Sequence, residues 1–390
     1  MKKLHVKRNV LLLAFCQALG NTGNIIVFSV SALAGAKLAP DKSLATLPLF
    51  SQFLAATLTT IPASFLMKKL GRKTGFMVGS FVACLGGGVA YFSIAWGNFP
   101  LFCLGSALLG VLVGFMPYYR FAAVDAADEN FKNNAISLTL AGGVLAAVLG
   151  PSLADYSVNL FPAEFAGNFF LLLLLPLVGI CLLFFVRIAP IAETAEEGSR
   201  PLAEIVKQPK FILALLGGMI GYGVMSILMV STPLSMKHSA LTFENITFVI
   251  QWHVLGMFVP SFVTGSLIQR FGVYKILFLG ALMNVGCVAI NLNGTGLYHY
   301  WVALILLGVG WNFLFIGASS LLTECYNESE KAAVQAINEF LVLAVVATSS
   351  LFSGVLFQWV GWKMINFLVL PPILFILLIS LWIQFRYKKI

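Results

Sequence analysis

Charge is what this sequence has least of. Lys and Arg number 24 and Asp and Glu 15 among 390 residues, so 10% of positions are charged while 59% are hydrophobic. A soluble domain carries about 25% charged residues, and so small a number cannot cover a water-facing surface. Catalytic signatures are missing too. There is no HExxH of a metalloprotease, no GxSxG elbow, no paired-carboxylate aspartate motif of the prenyl-transfer kind and no GxxxxGKS/T phosphate cradle. These absences argue against an intramembrane enzyme and against ATP hydrolysis by this chain. The six cysteines (Cys16, Cys84, Cys103, Cys181, Cys287 and Cys325) form no CxxC and have no histidine at metal-ligand spacing. They read as small packing residues, and neither a metal nor a cofactor is implied.

What the sequence does have is apolar length. Mean hydropathy is +0.94, and runs such as Phe169 to Val186 lack the alternation over about 10 residues that a membrane β-strand shows. About 20 apolar residues are needed for a helix to cross a hydrocarbon core of about 30 Å. Such segments run from Asn9 to Leu33, Leu44 to Met67, Thr74 to Ile94, Leu101 to Ala123, Ala135 to Ala154 and Asn168 to Ile188. Six more run from Phe211 to Pro233, Ile246 to Ile268, Tyr274 to Asn291, Tyr300 to Thr323, Ala332 to Phe357 and Met364 to Phe385. The N-terminus starts like a signal peptide, but its apolar run continues past Val27 and reads as the first span. The pattern predicts an all-α membrane protein of twelve spans: one six-helix bundle over residues 1–188, a polar linker over 189–210 and a second bundle over 211–390.

The net charge of +9 does not point to nucleic acid, because the basic residues sort by side. Lys2, Lys3, Lys7, Arg8, Lys68, Lys69, Arg72, Lys73, Arg270, Lys275, Arg386, Lys388 and Lys389 fall on the face holding the N-terminus; Lys37, Lys42, Lys237 and Lys363 fall opposite. This positive-inside bias predicts a multi-pass membrane protein with both termini cytoplasmic and lipid as its surroundings. Trp96, Trp301, Trp359 and Trp362 are expected at the headgroup boundary.

The halves repeat. Ser64-Phe-Leu-Met-Lys-Lys-Leu-Gly71-Arg-Lys73 after the second span aligns with Gly265-Ser-Leu-Ile-Gln-Arg-Phe-Gly272-Val-Tyr274 after the eighth, 201 positions on, and the same shift pairs Gly20 with Gly221 and Gln52 with His253. A repeat of six spans favours alternating access over a channel or receptor.

Ser64 to Lys73 resembles the loop between helices two and three of the major facilitator superfamily, with Gly71, Arg72 and Lys73 matching its Gly-Arg-Lys and Lys68 standing at the position of its carboxylate. Gln251-Trp-His253 to Pro260-Ser-Phe262 and Gly310-Trp-Asn312-Phe-Leu-Phe315 also look like a bacterial branch of that family, over essentially the whole chain. The resemblance implies a gate at this loop, where Glu324, Glu328 and Glu330 could face Lys68, Lys69 and Arg72 with charges exchanged, or simply be solvated. Ala141-Gly-Gly143 with Gly150-Pro151 looks like the Gly-Pro motif of the family's exporters, although Ala154 replaces its closing glycine. Close helix packing explains that stretch equally.

Polar residues inside spans are the functional candidates, since a charge at mid-bilayer costs about 2.5–3.5 kcal/mol on insertion scales. Glu339 in span eleven shares a face with Gln335. It is either a site that loads and releases protons or the partner of Arg120 in a structural ion pair. Asp125 near the end of span four joins these as a gating candidate. His253, flanked by Gln251 and Trp252, is a pH-sensitive ligand group or a hydrogen-bonded packing residue. Gln17, Asn21 and Asn24 recur at i, i+4 and i+7, one stripe of span one. The resemblance makes helices one, four, seven and ten line a central cavity, which Gln52, Tyr118, Tyr119, Tyr222, Ser226, Trp311 and Asn312 would join. Amides and aromatics with few fixed charges suit a planar or weakly charged organic solute. The sequence thus predicts a monomeric secondary transporter, proton-coupled, leaning to uptake of a nutrient such as a vitamin or iron chelate, with drug or metabolite efflux as the alternative.

Overall fold

The computed structural model describes residues 2–125, 132–187, 200–327 and 330–387. Lipid cannot hydrogen-bond a peptide group, so each crossing segment pairs its backbone internally; among the described residues there is no strand. The helices are α1 (Lys2–Leu38), α2 (Leu47–Leu70), α3 (Arg72–Ala95), α4 (Phe99–Phe115), α5 (Pro117–Asp125), α6 (Lys132–Ser157) and α7 (Ala166–Phe184). They continue with α8 (Leu202–Ile205), α9 (Pro209–His238), α10 (Phe243–Phe258), α11 (Ser261–Phe271), α12 (Val273–Asn293), α13 (Leu297–Thr323), α14 (Lys331–Leu368) and α15 (Leu370–Tyr387). Two compact units result, Met1–Glu193 and Thr194–Ile390.

Among the described residues nine stretches are long and apolar enough to cross a bilayer, and ten when the bent pair Phe243–Phe258 and Ser261–Phe271 counts as one span. One of the nine, Ala333–Ile383, is 51 residues long, about 75 Å of helix at 1.5 Å per residue. It must therefore cross twice. The break is at Gly361, whose φ of 73° and ψ of 176° interrupt α14. α6, 26 residues long, is not among these stretches.

Local chemistry sets several of the ends. Pro48, Pro100 and Pro209 stand in the first turns of α2, α4 and α9, where a missing N–H removes no helical bond. The Asn98 side chain caps α4 by accepting from the Leu101 N–H at 2.9 Å, and Thr242 caps α10 through the Asn245 N–H at 3.3 Å.

The repeat is visible in the backbone itself. Gly71 ends α2 at φ 84°, ψ 153°, and Gly272 ends α11 at φ 88°, ψ 149°. That region is essentially open to glycine alone. Packing repeats as well. A methyl on Gly110 would stand 2.0 Å from the Gln52 carbonyl oxygen, and one on Gly308 would stand 2.3 Å from that of His253. Gly20 rests on Met116 as Gly221 rests on Leu314. Residues up to Gly79 and Gly280 keep the 201-residue offset, whereas Gly110 and Gly308, Met116 and Leu314, and the buried Asn168 and Asn366 are 198 apart. The difference falls within α3, 24 residues long, whose counterpart α12 has 21.

Candidate functional site

In the first unit the amide stripe is half-buried along α1, and it reaches the neighbouring span where Gln52 Nε2 donates to Asn24 Oδ1 at 3.2 Å. Asn24 and Gln52 line a cavity of about 40 Å³ shared with Ser80, Met116, Tyr119 and Cys16. Gln17 Oε1 and Gln52 Oε1 are buried with no hydrogen-bond partner among the described residues. Tyr119, expected to face a solute, is instead 2% exposed and stacked on Phe76 at 4.0 Å within the bundle's apolar core. An aromatic ring beside Leu13, Phe115 and Leu183 is worth more as packing. Tyr118 is half-buried, and its hydroxyl donates to the Thr60 carbonyl at 2.9 Å. Gly142 and Gly150 let α6 lie on Ala14, Ala18 and Ile25 of α1, a packing use of the Gly-Pro stretch.

The second unit spends several of its polar candidates on holding helices together. His253 is fully buried with Nδ1 2.8 Å from the Leu304 carbonyl, joining α10 to α13. Asn312 is also fully buried. Its Nδ2 donates to the Met257 carbonyl and to Ser261 Oγ, both at 2.6 Å, while its Oδ1 accepts from Thr264 Oγ1 at 2.7 Å. These bonds satisfy backbone groups freed where α10 bends into α11 by 41° before Ser261. Ser226 is buried against Ser350 Oγ at 3.1 Å and the Val346 carbonyl at 3.4 Å. For Asn312 and Ser226, then, the geometry gives packing partners in place of an open cavity face, because in lipid an unmatched polar group costs more than a matched one. His253, by contrast, is tied at Nδ1 alone, and its Nε2 is buried with no partner among the described residues. Gln251 is half-buried and Trp252 is exposed.

A group of aromatics in the same unit does keep open surface. Trp311 and Phe315, one turn apart on α13, stack at 5.0 Å with 11° between planes, and Tyr222 of α9 stands edge-on to both at 5.0 Å. Phe258 of α10 lies 6.3 Å from Trp311. Trp311 is 5% exposed with its Nε1 buried and unpartnered among the described residues, whereas Tyr222, Phe258 and Phe315 are half-buried. Phe315 and Phe258 were not among the sequence candidates. The i, i+4 spacing of Trp311 and Phe315 was the available signal.

The loop side differs from expectation. Lys73 Nζ donates to the Phe184 carbonyl at 2.9 Å, a cation closing a helix C-terminus; Arg72 reaches the Tyr118 carbonyl at 3.5 Å. Glu330 and Glu324 have partners within their own unit. Glu330, its side chain 1% exposed, accepts from Arg200 Nε at 2.8 Å and Nη2 at 2.7 Å, from the Arg200 backbone N–H at 2.9 Å and from that of Asn327 at 2.9 Å. Glu324 pairs with Lys210 at 2.8 Å. Arg200 and Gln208 also both donate to the Cys325 carbonyl at 3.2 Å. Glu324 and Glu330 are thus bound by residues of the linker. Residues 200–210 are accordingly a strap fastened to the loop between α13 and α14. The Arg200 guanidinium and two backbone N–H groups hold the Glu330 carboxyl down at about 2, and the carboxylate raises Arg200 in turn.

Glu339 is half-buried on α14, and Gln335 on its face donates to the Tyr326 hydroxyl at 2.8 Å. The side chains of Lys68, Arg120 and Asp125, and Glu328 altogether, lie outside the described residues. Trp96 and Trp359 are 71% and 76% exposed as boundary residues should be, but Trp362 is 7% exposed and packs on Tyr300 at 5.7 Å.

Two helical units with duplicated loop glycines and duplicated helix contacts define a multi-pass membrane transporter of the secondary type. The family model described as Major Facilitator Superfamily matches residues 10–251 and 214–389. The chain belongs to the major facilitator superfamily. It is 39% identical over 375 residues to the riboflavin transporter RfnT of Brucella anthropi, covering 95% of this chain and 94% of that protein. The uncharacterized MFS-type transporter YdeG of Bacillus subtilis is 26% identical, over 90% of this chain and 86% of its own length. Among solved structures, an auto-inhibited POT family peptide transporter superposes with a TM-score of 0.71 at 13% identity, over 98% of this chain and 97% of that one. A point mutant of the nucleoside transporter NupG gives 0.70 at 11% identity, over 95% and 99%. At such identities these two speak to the fold alone.

Proposed function

We propose that this protein takes up riboflavin, or a flavin sharing its ring system, across the bacterial inner membrane, with both termini cytoplasmic and a proton gradient as the driving force. The observation that carries the reading is the 39% identity to a riboflavin transporter along nearly the whole of both chains. The side chains fit a flat, neutral, polar-edged solute: half-buried Gln17, Asn21 and Asn24 on α1 offer amide donors and acceptors, and half-buried Tyr222 on α9 offers a ring. Amides read carbonyl and ring-nitrogen edges, and aromatic faces accept a planar ring. Glu339, half-buried in a crossing helix, is the coupling group. Alternating access is the mode of transport.

Labelled riboflavin and proteoliposomes test this. Saturable uptake, competed by unlabelled riboflavin and accelerated by an inward proton gradient, is the expected result; background-level uptake by correctly inserted protein removes the reading. Glu339→Gln is expected to abolish gradient-driven accumulation while leaving riboflavin exchange intact, read with an internal pH dye. Accumulation at the wild-type level strikes Glu339 from the coupling role.

A further inference from the structure

The aromatic group on α9, α10 and α13 is over-provided for packing alone. A stacked pair of rings, Trp311 and Phe315, meets a third ring, Tyr222, at 90° and 88°. The result is a corner with two walls at right angles, and Phe258 closes one side at 6.3 Å. Aromatic rings prefer offset stacking or an edge against a face. A flat polycyclic ring laid on one wall of such a corner receives edge contacts from the other in the same pose. Tyr222, Phe258 and Phe315 are only half-buried, so each keeps ring surface outside the cluster.

The second observation is chemical. Indole nitrogen is a donor only, and the buried Trp311 Nε1 has no acceptor among the described residues. One residue on, Asn312 has bonds at both of its polar atoms. A buried donor left without an acceptor beside a satisfied neighbour marks a place where the acceptor arrives from elsewhere. The occupant must therefore be planar, with a broad apolar face and carbonyl or ring-nitrogen acceptors along one edge. None of the four side chains carries charge, so the ring the corner takes is uncharged.

Resting on the riboflavin reading above, we propose that Tyr222, Phe258, Trp311 and Phe315 form the ring-recognition corner for the isoalloxazine, with Trp311 Nε1 donating to an acceptor of its pyrimidine edge. The four residues determine specificity. The ribityl chain is read elsewhere.

Flavin emission is quenched when the ring stacks on Tyr or Trp, so a fluorescence titration of the full-length protein in nanodiscs reads the contact directly. Two probes are used: riboflavin, and lumichrome, which keeps the flat tricyclic core and lacks the ribityl chain. Wild type is expected to quench both. Losing one stacking ring in Tyr222→Leu or Phe315→Leu should weaken binding on the order of ten-fold. Trp311→Phe keeps the ring and removes the donor; it should weaken riboflavin while quenching by Tyr222 persists. Melting temperature is measured for each variant. Loss of binding in a variant that melts like wild type supports the corner, whereas riboflavin binding and quenching unchanged in all three variants overturn it and leave the uptake reading standing. Conversely, lumichrome quenching that the variants abolish, in a protein that transports no riboflavin, keeps the corner and sinks the uptake reading. No quenching of either ring by wild type overturns the corner outright.

Discussion

The two bundles share one scaffold and fill it differently. At the repeat positions Gln52 and His253, a backbone carbonyl meets a glycine of the fourth helix of its bundle, Gly110 in one case and Gly308 in the other. Around Gln52 the first bundle keeps a mostly apolar cavity of about 40 Å³, and an amide oxygen of Gln52 has no partner among the described residues. Around His253 the second bundle ties Nδ1 to the Leu304 carbonyl, leaves Nε2 buried with no partner among the described residues, and places its half-buried aromatics at Tyr222 and Phe315. Where the backbone contact is tight, duplication preserved it. Where side chains decide, the copies diverged: the first carries the half-buried amides Gln17, Asn21 and Asn24 on α1, the second the rings of Tyr222, Trp311 and Phe315.

That contrast can be broken at the helix contacts first. Gly110→Ala and Gly308→Ala each place a methyl 2.0 Å and 2.3 Å from a carbonyl oxygen, and overpacking against backbone costs up to about 3 kcal/mol. Both variants are expected to melt well below wild type by a comparable margin; a drop in only one would show that the repeat has lost its equivalence there. Gly71→Ala and Gly272→Ala come next, at about 1–3 kcal/mol each, since the penalty there is conformational and no atom lies within 4 Å of either methyl. Unequal losses between these two would mean that one loop relaxes.

The strap sharpens the comparison by pH. Glu330 is held at about 2 against an ordinary 4.5. Its contribution is therefore fully present above about pH 4.5 and is lost as the pH falls from there toward 2. Wild type should lose melting temperature over that window more steeply than Glu330→Gln, followed by thermal shift. Parallel slopes would show that the Arg200 contact does not stabilise the second bundle.

Much of the architecture was legible because it rests on one-dimensional rules. Apolar length marks spans, and a glycine at φ above +80° cannot drift, so Gly71 and Gly272 announce the repeat. The strap was illegible for the opposite reason. Arg200 and Glu330 are separated by 130 positions, and a run of charges between bundles looks like any solvated linker. Hydropathy could place Trp362 near a helix end but could not tell a headgroup contact from a partner such as Tyr300. Likewise, the presence of Asn312 in an apolar span says that it needs partners, and only the bend in front of Ser261 says which. Phe258 and Phe315 went unnoticed among 34 phenylalanines, because lipid-facing and ligand-facing rings share one composition.

The three residues by which α12 falls short of α3 also constrain how such a gene can change. Removing three residues from a helix shortens it by ~4.5 Å and turns everything beyond by about 300°, so later side chains return to within about 60° of their old heading. A loss of two would have aimed buried faces at lipid. Insertions and deletions inside a crossing helix are thus filtered in near-whole turns, and an alignment of the halves that forbids a gap within a span will misplace every landmark after the third.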